Sequence, residues 1–382
     1  MPICIYIYIY MVTSFSKHTS KLLQKSHKIK HPKLQRKEKK KKNMSETNIE
    51  SYPPIFRQLY NPIQKPDTKN QQIKLNTPIN NIDMLPIVDM QHLDLDNLDK
   101  ICREWGIFRL VNHGIPTNLL KSLHEYAKKI LDIPYEVKDG LIGNYPINYF
   151  WGTPALTKEG KPLRRRVSGH NFDWMEGFNV PFSQLCDSSP LIDDHTLFNP
   201  FRKLLEEYSE FITKTAVTIY EAMIESLKLD VQVARRNIDE SSGLIRVYRY
   251  PKHSNNVGDI KGLHVHTDSS IVSILSEAEV GGLKFLKDDQ WYDVQPVPGT
   301  LIVNLGDMMQ VMSDDKYKSV QHKVELNKQK ARLSVCYFVF PEKNTLLHSS
   351  IYKPFTYNDF RDRVQLDLKT IGHKIALQSF KL

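Results

Sequence analysis

Cysteine is scarce in this sequence, and its four copies are far apart. Cys4, Cys102, Cys186 and Cys336 form no Cys-x-x-Cys pair among the 382 residues. This spacing argues against a disulfide framework and against a cysteine-rich zinc site. It is typical of a protein in a reducing compartment, and we expect a cytoplasmic location.

Long hydrophobic runs are also missing. The longest apolar run, residues 3–12, is well short of the roughly 20 residues that a membrane-spanning helix needs. It does not resemble a secretory signal either, because no positive charge precedes it. We therefore expect no membrane partner. With 40% hydrophobic and 10% aromatic residues, the chain can nevertheless fill a sizeable core.

Acidic residues are almost absent from the first 43 positions. This stretch has twelve Lys or Arg and one acid, Glu38, so its net charge is +11. The other 339 residues have a net charge of −1, which gives the total of +10. The Lys runs lack the aromatic spacing of a nucleic-acid-binding surface and are typical of a solvated tail, so we expect no nucleic-acid partner. Because A- and T-rich repeats encode Ile-Tyr and Lys runs, our hypothesis is that residues 1–43 are a translated leader and Met44 the working start. Peptides from residues 17–40 in the mature protein would refute it.

The pattern of the remaining chain predicts a fold of mixed α+β class, mainly β. Apolar residues recur at helical spacing before position 240, and about a hundred residues after Ser242 alternate with a period of two, interrupted by Gly, Pro and Asp. Many short, evenly spaced strands predict a jelly roll wrapped by N-terminal helices. The predicted regions are an extended, Pro-rich arm (44–82), a mostly helical region (83–240), a β-core (241–345) and a C-terminal helical segment (346–382).

Two histidines and an aspartate suggest a metal site. His266 and Asp268 are two residues apart in an extended segment, so their side chains can face one point, and His322 lies on a later predicted strand. Two His and one carboxylate form the facial triad of non-haem Fe(II) oxygenases. Two alternatives stay open: a surface His near an Asp, and a cupin-type pair made with His264, which shares the parity of His266.

The strand that begins at Arg332 suggests an anion site. Arg332 and Ser334 share one face with aromatic residues, and an arginine facing an apolar core needs an anionic partner. A guanidinium and a hydroxyl together suit a carboxylate. The alternative is that Arg332 faces solvent. Arg246 and Tyr250 share a face of another strand, where the Tyr250 phenol could complete the pocket.

Taken together and in order, these motifs closely resemble the plant family of 2-oxoglutarate- and Fe(II)-dependent dioxygenases. The resemblance covers about residues 83–380, and some aromatic segments resemble its gibberellin 2-oxidase-like branch. The matching motifs are LPIVD (85–89), EWGIFRLVNHGI (104–115), HTD (266–268), VGGL (280–283), PGTLIVNLGD (298–307), YKSVQH (317–322) and RLS (332–334).

The resemblance implies a double-stranded β-helix core and a set of site residues. It implies that iron is bound by His266, Asp268 and His322. It also implies that the distal carboxylate of 2-oxoglutarate is bound by Arg332, Ser334 and Tyr250. It places His264 at a variable position, which favours His-x-Asp over a cupin pair. Family members often have Asn where Tyr248 stands, so the pocket differs there.

The implied reaction uses Fe(II), 2-oxoglutarate and O2, with ascorbate as reductant, to hydroxylate or otherwise oxidise a small apolar plant metabolite such as a gibberellin. We expect a monomer whose substrate contacts an apolar wall of Tyr149, Phe178, Phe338 and Phe340, with Arg246 near a substrate carboxylate or in a structural ion pair. Two rivals are an ascorbate-dependent oxidase of the same fold and a non-catalytic small-molecule binder.

Overall fold

The computed structural model describes residues 48–59, 84–140, 147–152, 172–185, 197–238, 243–253 and 260–382. The proposed leader and most of the predicted arm lie outside the described residues.

The helices of the described residues lie before, within and after the predicted β-core. They are α1 (Pro54–Leu59), α2 (Leu95–Glu104), α3 (Thr117–Leu131), α4 (Tyr135–Gly140), α5 (Phe182–Leu185), α6 (Phe198–Ser226), α7 (Val231–Arg236), α8 (Asp307–Met312) and α9 (Tyr357–Thr370). Single 3-10 turns lie at Ile49–Ser51 and Ala376–Phe380. No helix in this described part is both long and apolar enough to cross a membrane.

Fourteen short strands are found in the same described ranges. They are β1 (Ile87–Asp89), β2 (Ile107–Val111), β3 (Asn148–Trp151), β4 (Glu176–Pro181), β5 (Leu244–Tyr250), β6 (Leu263–His266), β7 (Val272–Glu277), β8 (Leu283–Lys287), β9 (Gln290–Asp293), β10 (Leu301–Leu305), β11 (His322–Val324), β12 (Arg332–Val339), β13 (Leu346–Leu347) and β14 (Phe355–Thr356).

Two sheets build the core. The larger has the strand order β1-β2-β10-β7-β12-β5-β4-β3, and the smaller has the order β6-β11-β8-β9. Pairing is antiparallel except between β1 and β2. A cluster of buried side chains from both sheets, including Leu275 and Phe338 of the larger and Phe285 of the smaller, fills the space between them. This confirms the predicted jelly roll.

Helices cover the other face of the large sheet. In α3, Leu120, Leu123, Ala127 and Ile130 are buried in one cluster with residues of α2, α6 and the outward side chains of the sheet. The spacing of these residues makes one apolar stripe, which is why α3 lies flat on the sheet. Inner strands of the large sheet, such as β7 and β10, therefore have two buried faces, one toward the helices and one toward the second sheet.

The N-terminal regions differ from expectation in two respects. The region predicted as mostly helical also supplies β1 to β4, half of the large sheet. Residues 49–59, predicted as part of an extended arm, form a 3-10 turn and α1. Tyr52 and Phe56 are fully buried there, and Phe56 stacks on Trp174 with 4.3 Å between ring centroids. This distant aromatic contact, invisible in the local Pro-rich pattern, holds the segment in place.

Candidate active site

The two predicted metal-binding histidines lie side by side on neighbouring strands. His266 ends β6 and pairs with His322, which begins β11, and their ring centroids are 4.2 Å apart. Asp268 follows two residues after His266, and its Oδ1 lies 3.7 Å from the Nε2 atom of each histidine. The three side chains can thus offer three ligand atoms that all lie within 4.8 Å of one another.

Backbone carbonyls orient both imidazoles. His266 Nδ1 is 2.8 Å from the carbonyl oxygen of His264, and His322 Nδ1 is 3.1 Å from that of Val320. A carbonyl only accepts, so each Nδ1 carries the proton and donates it. The Nε2 lone pairs are left facing the common point, which is the usual arrangement around a metal-binding histidine.

Asp268 is held with one oxygen free for a ligand. Ser273 of β7 donates its hydroxyl hydrogen to Asp268 Oδ2, and the backbone N–H of Asp307 donates to the Asp268 carbonyl. Burial alone would raise the pKa of this carboxyl, but His322, His266 and the Ser273 hydrogen bond outweigh burial and keep it below its usual value. Asp268 is therefore ionised at neutral pH, with Oδ1 aimed at the two histidines.

Protonation does not compete with a metal at His266. Burial, reinforced by the neighbouring His322, lowers the pKa of His266 to about 4. Two imidazole nitrogens and one anionic oxygen make a donor set that suits Fe(II) and leaves other coordination positions for small molecules. The residues present therefore fit a mononuclear Fe(II) site.

A lysine from the C-terminal segment supports the loop that carries Asp268. Lys374 Nζ donates to the carbonyl oxygen of Thr267 at 2.6 Å, to Ser269 Oγ at 3.3 Å, and to Asp307 Oδ2 at 2.7 Å. Gly306 allows the close approach of β10 to this loop, because a Cβ there would lie 2.0 Å from the Ser270 carbonyl oxygen. The loop is thus fixed from both sides.

The predicted anion site lies in the same cavity. Arg332 faces inward from β12, opposite Tyr250 of β5, and its guanidinium carbon is 5.0 Å from the Tyr250 ring centroid. Arg332 Nη1 donates to Ser334 Oγ at 3.2 Å. All three residues line one cavity with the His266–Asp268–His322 cluster. Burial raises the pKa of Tyr250, so its phenol stays protonated and can donate.

One acid beside Arg332 was not foreseen from the sequence. Glu277, at the end of β7, accepts a hydrogen bond from Arg332 Nη2, and the pair is buried. The sequence predicted an anionic partner for Arg332 but singled out no acid of the chain for that role. The available signal was the period-two alternation of β7, which puts Ser273, Leu275 and Glu277 on the same face.

Of the predicted substrate contacts, one lines the cavity and two others pack against it: Phe338 lines the cavity, and Phe340 and Arg246 lie beside Phe338. Phe340 stacks on Phe338 with 6.3 Å between centroids. Arg246 Nε donates to Asn179 Oδ1 at 2.8 Å, and the guanidinium lies 5.2 Å from the Phe338 ring centroid.

The structure does not bring Tyr149 and Phe178 to the cavity. Both are fully buried in the core between the large sheet and the helices. Tyr149 instead donates its phenol hydrogen to Glu176 Oε2 at 2.5 Å. Side chains alternate between the faces of a strand, and these two point away from the second sheet. The prediction of substrate contacts is therefore wrong for Tyr149 and Phe178, and it stays a prediction for Phe338 and Phe340.

His264 does not join the metal-ligand cluster. Its Nδ1 lies 2.6 Å from Asp173 Oδ1, and its backbone N–H donates to the same oxygen at 2.9 Å. Within the described residues, the cluster that could hold a metal contains only His266, Asp268 and His322. The arrangement is the His-x-Asp type, and the cupin-type alternative is not supported.

A jelly roll with two His and one Asp that line its inner cavity defines a non-haem Fe(II) oxygenase. Comparison with known families agrees. Residues 241–341 match the 2OG-Fe(II) oxygenase superfamily, and residues 79–199 match the N-terminal region of the non-haem dioxygenases in morphine synthesis. The chain belongs to the 2OG-Fe(II) oxygenase superfamily.

Individual relatives point the same way. The chain is 32% identical to gibberellin 2-beta-dioxygenase 6 of Oryza sativa subsp. japonica over 78% of its own length and 84% of the relative's. It is 28% identical to gibberellin 2-beta-dioxygenase 8 of Arabidopsis thaliana over 84% and 95%. The crystal structure of JOX2 in complex with 2OG, Fe and JA superposes with a TM-score of 0.63 at 25% identity, over 78% of this chain and 89% of that one.

The protein is accordingly a 2-oxoglutarate- and Fe(II)-dependent dioxygenase, an oxidoreductase that acts on a small molecule. The prediction of this reaction class, and of Fe(II) and 2-oxoglutarate as its requirements, is confirmed.

Proposed function

We propose that His266, Asp268 and His322 bind Fe(II) through Nε2, Oδ1 and Nε2. Their mutual distances and the carbonyl groups that hold both imidazoles support this assignment. We also propose that Arg332, Ser334 and Tyr250 bind the distal carboxylate of 2-oxoglutarate. Their place in the same buried cavity supports that assignment.

Fe(II) held by His266, Asp268 and His322 would supply the activation of O2, coupled to the oxidative decarboxylation of 2-oxoglutarate. The protein's own groups bind and orient. Ser273 keeps Asp268 turned toward the two histidines, and Arg332 sets the depth at which a dicarboxylate lies. Buried apolar side chains such as Leu275 and Phe338 keep bulk water out of the space between these groups.

The proposed substrate is a small, largely apolar carboxylic acid of the gibberellin type, which the enzyme hydroxylates. One observation carries this step: beside the cavity-lining Phe338, Arg246 has no carboxylate partner among the described residues. An apolar skeleton packed on Phe338 could place its carboxylate on this guanidinium. The similarity to gibberellin 2-beta-dioxygenases supports the same class of substrate.

A paired-substrate assay tests this proposal. Purified protein with Fe(II), 2-oxoglutarate and ascorbate is given gibberellins or their methyl esters, and succinate and the mass of one added oxygen atom are followed. We expect turnover of an acid, at least about tenfold weaker turnover of its ester, and loss of that difference in Arg246→Gln. The control is Arg235→Gln, which alters an exposed arginine of α7. Equal turnover of acid and ester would contradict the role of Arg246, and no oxidation of any gibberellin would contradict the substrate class.

The same assay separates the remaining possibilities. Succinate release that depends on added 2-oxoglutarate is expected here but not from an ascorbate-dependent oxidase or a non-catalytic binder. We further propose that the enzyme works as a cytoplasmic monomer without a nucleic-acid or membrane partner, with ascorbate only as reductant. The buried free thiols of Cys102 and Cys336 support a reducing compartment. Unchanged activity after removal of residues 1–43 would support a dispensable basic tail.

A further inference from the structure

Arg332 already has a carboxylate partner from its own chain. Its Nη2 donates to Glu277 Oε1, and the side chains of Arg332 and Glu277 are 2% and 4% exposed. The guanidinium expected to receive an anionic cosubstrate is therefore charge-neutralised before any cosubstrate arrives.

Strand alternation aims Glu277 into the cavity. Glu277 lies opposite Ser334 in the pairing of β7 with β12, and Ser334 lines the cavity. On the same inner face of β7, Leu275 lines the cavity and Ser273 hydrogen-bonds Asp268. Near its start, β7 thus supports the metal-ligand cluster through Ser273. At its end, it presents the carboxylate of Glu277 to Arg332.

The pair is incompletely satisfied. Among the described residues, Arg332 Nε and Glu277 Oε2 are both buried and have no hydrogen-bond partner. Unpaired buried polar atoms are costly, and the cost is lost when a ligand or a rearrangement supplies the missing partner. The Arg332–Glu277 pair is therefore held in an arrangement that another anion can replace.

A second carboxylate at this guanidinium would be opposed by Glu277. With 2-oxoglutarate bound, two buried carboxylates would share one cation, and like charges a few ångströms apart repel strongly out of water. A 2-oxo acid without a distal carboxylate meets no such repulsion. The two kinds of 2-oxo acid must therefore respond differently to the charge of Glu277.

We propose that Glu277 is a specificity-determining residue that competes with the distal carboxylate of 2-oxoglutarate for Arg332. It weakens the affinity for 2-oxoglutarate but not for a 2-oxo acid with a single carboxylate. The difference in affinity between the two kinds of acid is therefore smaller than it would be without Glu277. This inference rests on the proposed role of Arg332. The opposing possibility is that Glu277 only orients Arg332 and so strengthens 2-oxoglutarate binding.

Calorimetric titration of the full-length protein with Mn(II) in place of Fe(II) distinguishes the two, because no turnover occurs. The probes are 2-oxoglutarate and 2-oxobutyrate, which share the metal-chelating end but differ in the distal carboxylate. We expect Glu277→Gln to lower the Kd for 2-oxoglutarate about tenfold, equal to about 1.4 kcal/mol, and to leave the Kd for 2-oxobutyrate unchanged. Glu279→Gln removes the same charge at an exposed position two residues away and should change neither Kd.

Two outcomes would overturn the proposal: weaker 2-oxoglutarate binding in Glu277→Gln, and an equal change for both probes. Glu277→Ala is measured as well, so that an unstable Gln variant does not decide the result. Arg332→Gln separates this inference from the one on which it rests. If Arg332→Gln leaves 2-oxoglutarate binding intact, the carboxylate site lies elsewhere; if it weakens binding while neither Glu277 variant tightens it, only the role of Glu277 is refuted.

Discussion

Two buried arginines on adjacent strands lie on opposite faces of the large sheet. Arg249 faces the helices, and its three nitrogens donate to Glu176, to Asp132 at 2.7 Å and to Ser51 Oγ at 3.0 Å. Arg332 faces the second sheet and leaves Nε without a partner within the described chain. Because all three guanidinium nitrogens of Arg249 have partners, Arg249 is a rigid structural element. The Nε–H of Arg332 has no such partner in the described chain, so Arg332 can still bind an anion.

The rest of each environment extends this contrast. Around Arg249, Glu176 also accepts from Lys138 Nζ at 2.7 Å and from the Tyr149 phenol, all within the helix-facing core. Around Arg332, Glu277 keeps one oxygen that no hydrogen-bond donor contacts within the described ranges. We therefore expect substitutions on the helix-facing side to lower stability, and substitutions on the cavity side to change binding and turnover.

The largest expected effect is on the cavity side, at Asp268. Asp268→Ala removes the only anionic atom of the metal-ligand cluster, and turnover should fall at least about a thousandfold as Fe(II) affinity is lost. Succinate formation and metal content are measured together. Asp293→Ala, at a half-exposed acid of β9, is the control. Retained activity at unchanged iron content would refute the assignment of the iron ligands.

On the helix-facing side, Glu176→Gln should chiefly unfold the protein. Without the carboxylate, the positive charges of Lys138 and Arg249 stay buried and poorly compensated, and the free energy of unfolding should fall by about 3 kcal/mol. Urea denaturation measures this. Glu206→Gln breaks a surface pair with Arg202 and should cost less than about 0.5 kcal/mol. Loss of turnover without loss of stability would break the comparison between the two faces.

A histidine on the helix-facing side should make stability depend on pH. Burial, with a smaller contribution from Arg332, lowers the pKa of His124 from 6.5 to about 4. Between these two pH values the unfolded chain binds a proton that the folded chain does not. The contribution of neutral His124 to the free energy of unfolding is therefore fully present above pH 6.5. It is lost as the pH falls toward 4, by up to about 3 kcal/mol.

His124→Gln keeps a hydrogen-bonding group toward Ser276 Oγ, which lies 2.8 Å from His124 Nε2, but cannot ionise. Unfolding free energies measured from pH 7 to pH 4 should therefore fall less steeply in this variant. His92→Gln changes a histidine whose side chain is 81% exposed and serves as the control. Equal pH slopes in wild type and His124→Gln would show that this histidine is accessible to protons when folded.

The smallest expected effect tests whether the planar shape of the Arg332 guanidinium matters for binding. Arg332→Lys keeps a positive charge for Glu277 but loses the planar fork that two carboxylate oxygens need. The KM for 2-oxoglutarate should rise about tenfold with little change in melting temperature. Lys and Arg giving the same KM would mean that only charge matters at this position.

The sequence was most informative where function demands short, regular spacing. His266, Asp268, Arg332 and Ser334 were each placed by a period of two, and the structure gathers them in one cavity. His322 was predicted as the third ligand because it lies on a later predicted strand, and the structure pairs that strand with the strand of His266.

Other features depend on contacts that the local pattern does not contain. Tyr149 and Phe178 were assigned to the substrate wall, but no alternation signal showed which face of β3 and β4 they occupy, and they lie in the helix-facing core. The pairing of Arg332 with Glu277 joins strands 55 residues apart. Lys374 reaches the Asp268 loop across 107 residues to Thr267. Such pairings follow from sheet topology and not from sequence neighbours.

The segment before β1 has a practical consequence for shortening this enzyme. Tyr52 and Phe56 cover Trp174, and Ser51 accepts a hydrogen bond from Arg249. A form that begins at Met84 would expose this aromatic surface to water and favour aggregation during expression. Crystallisation or biosensor versions should therefore retain the chain from at least Asn48, even though the described residues 48–59 are not among those that line the cavity.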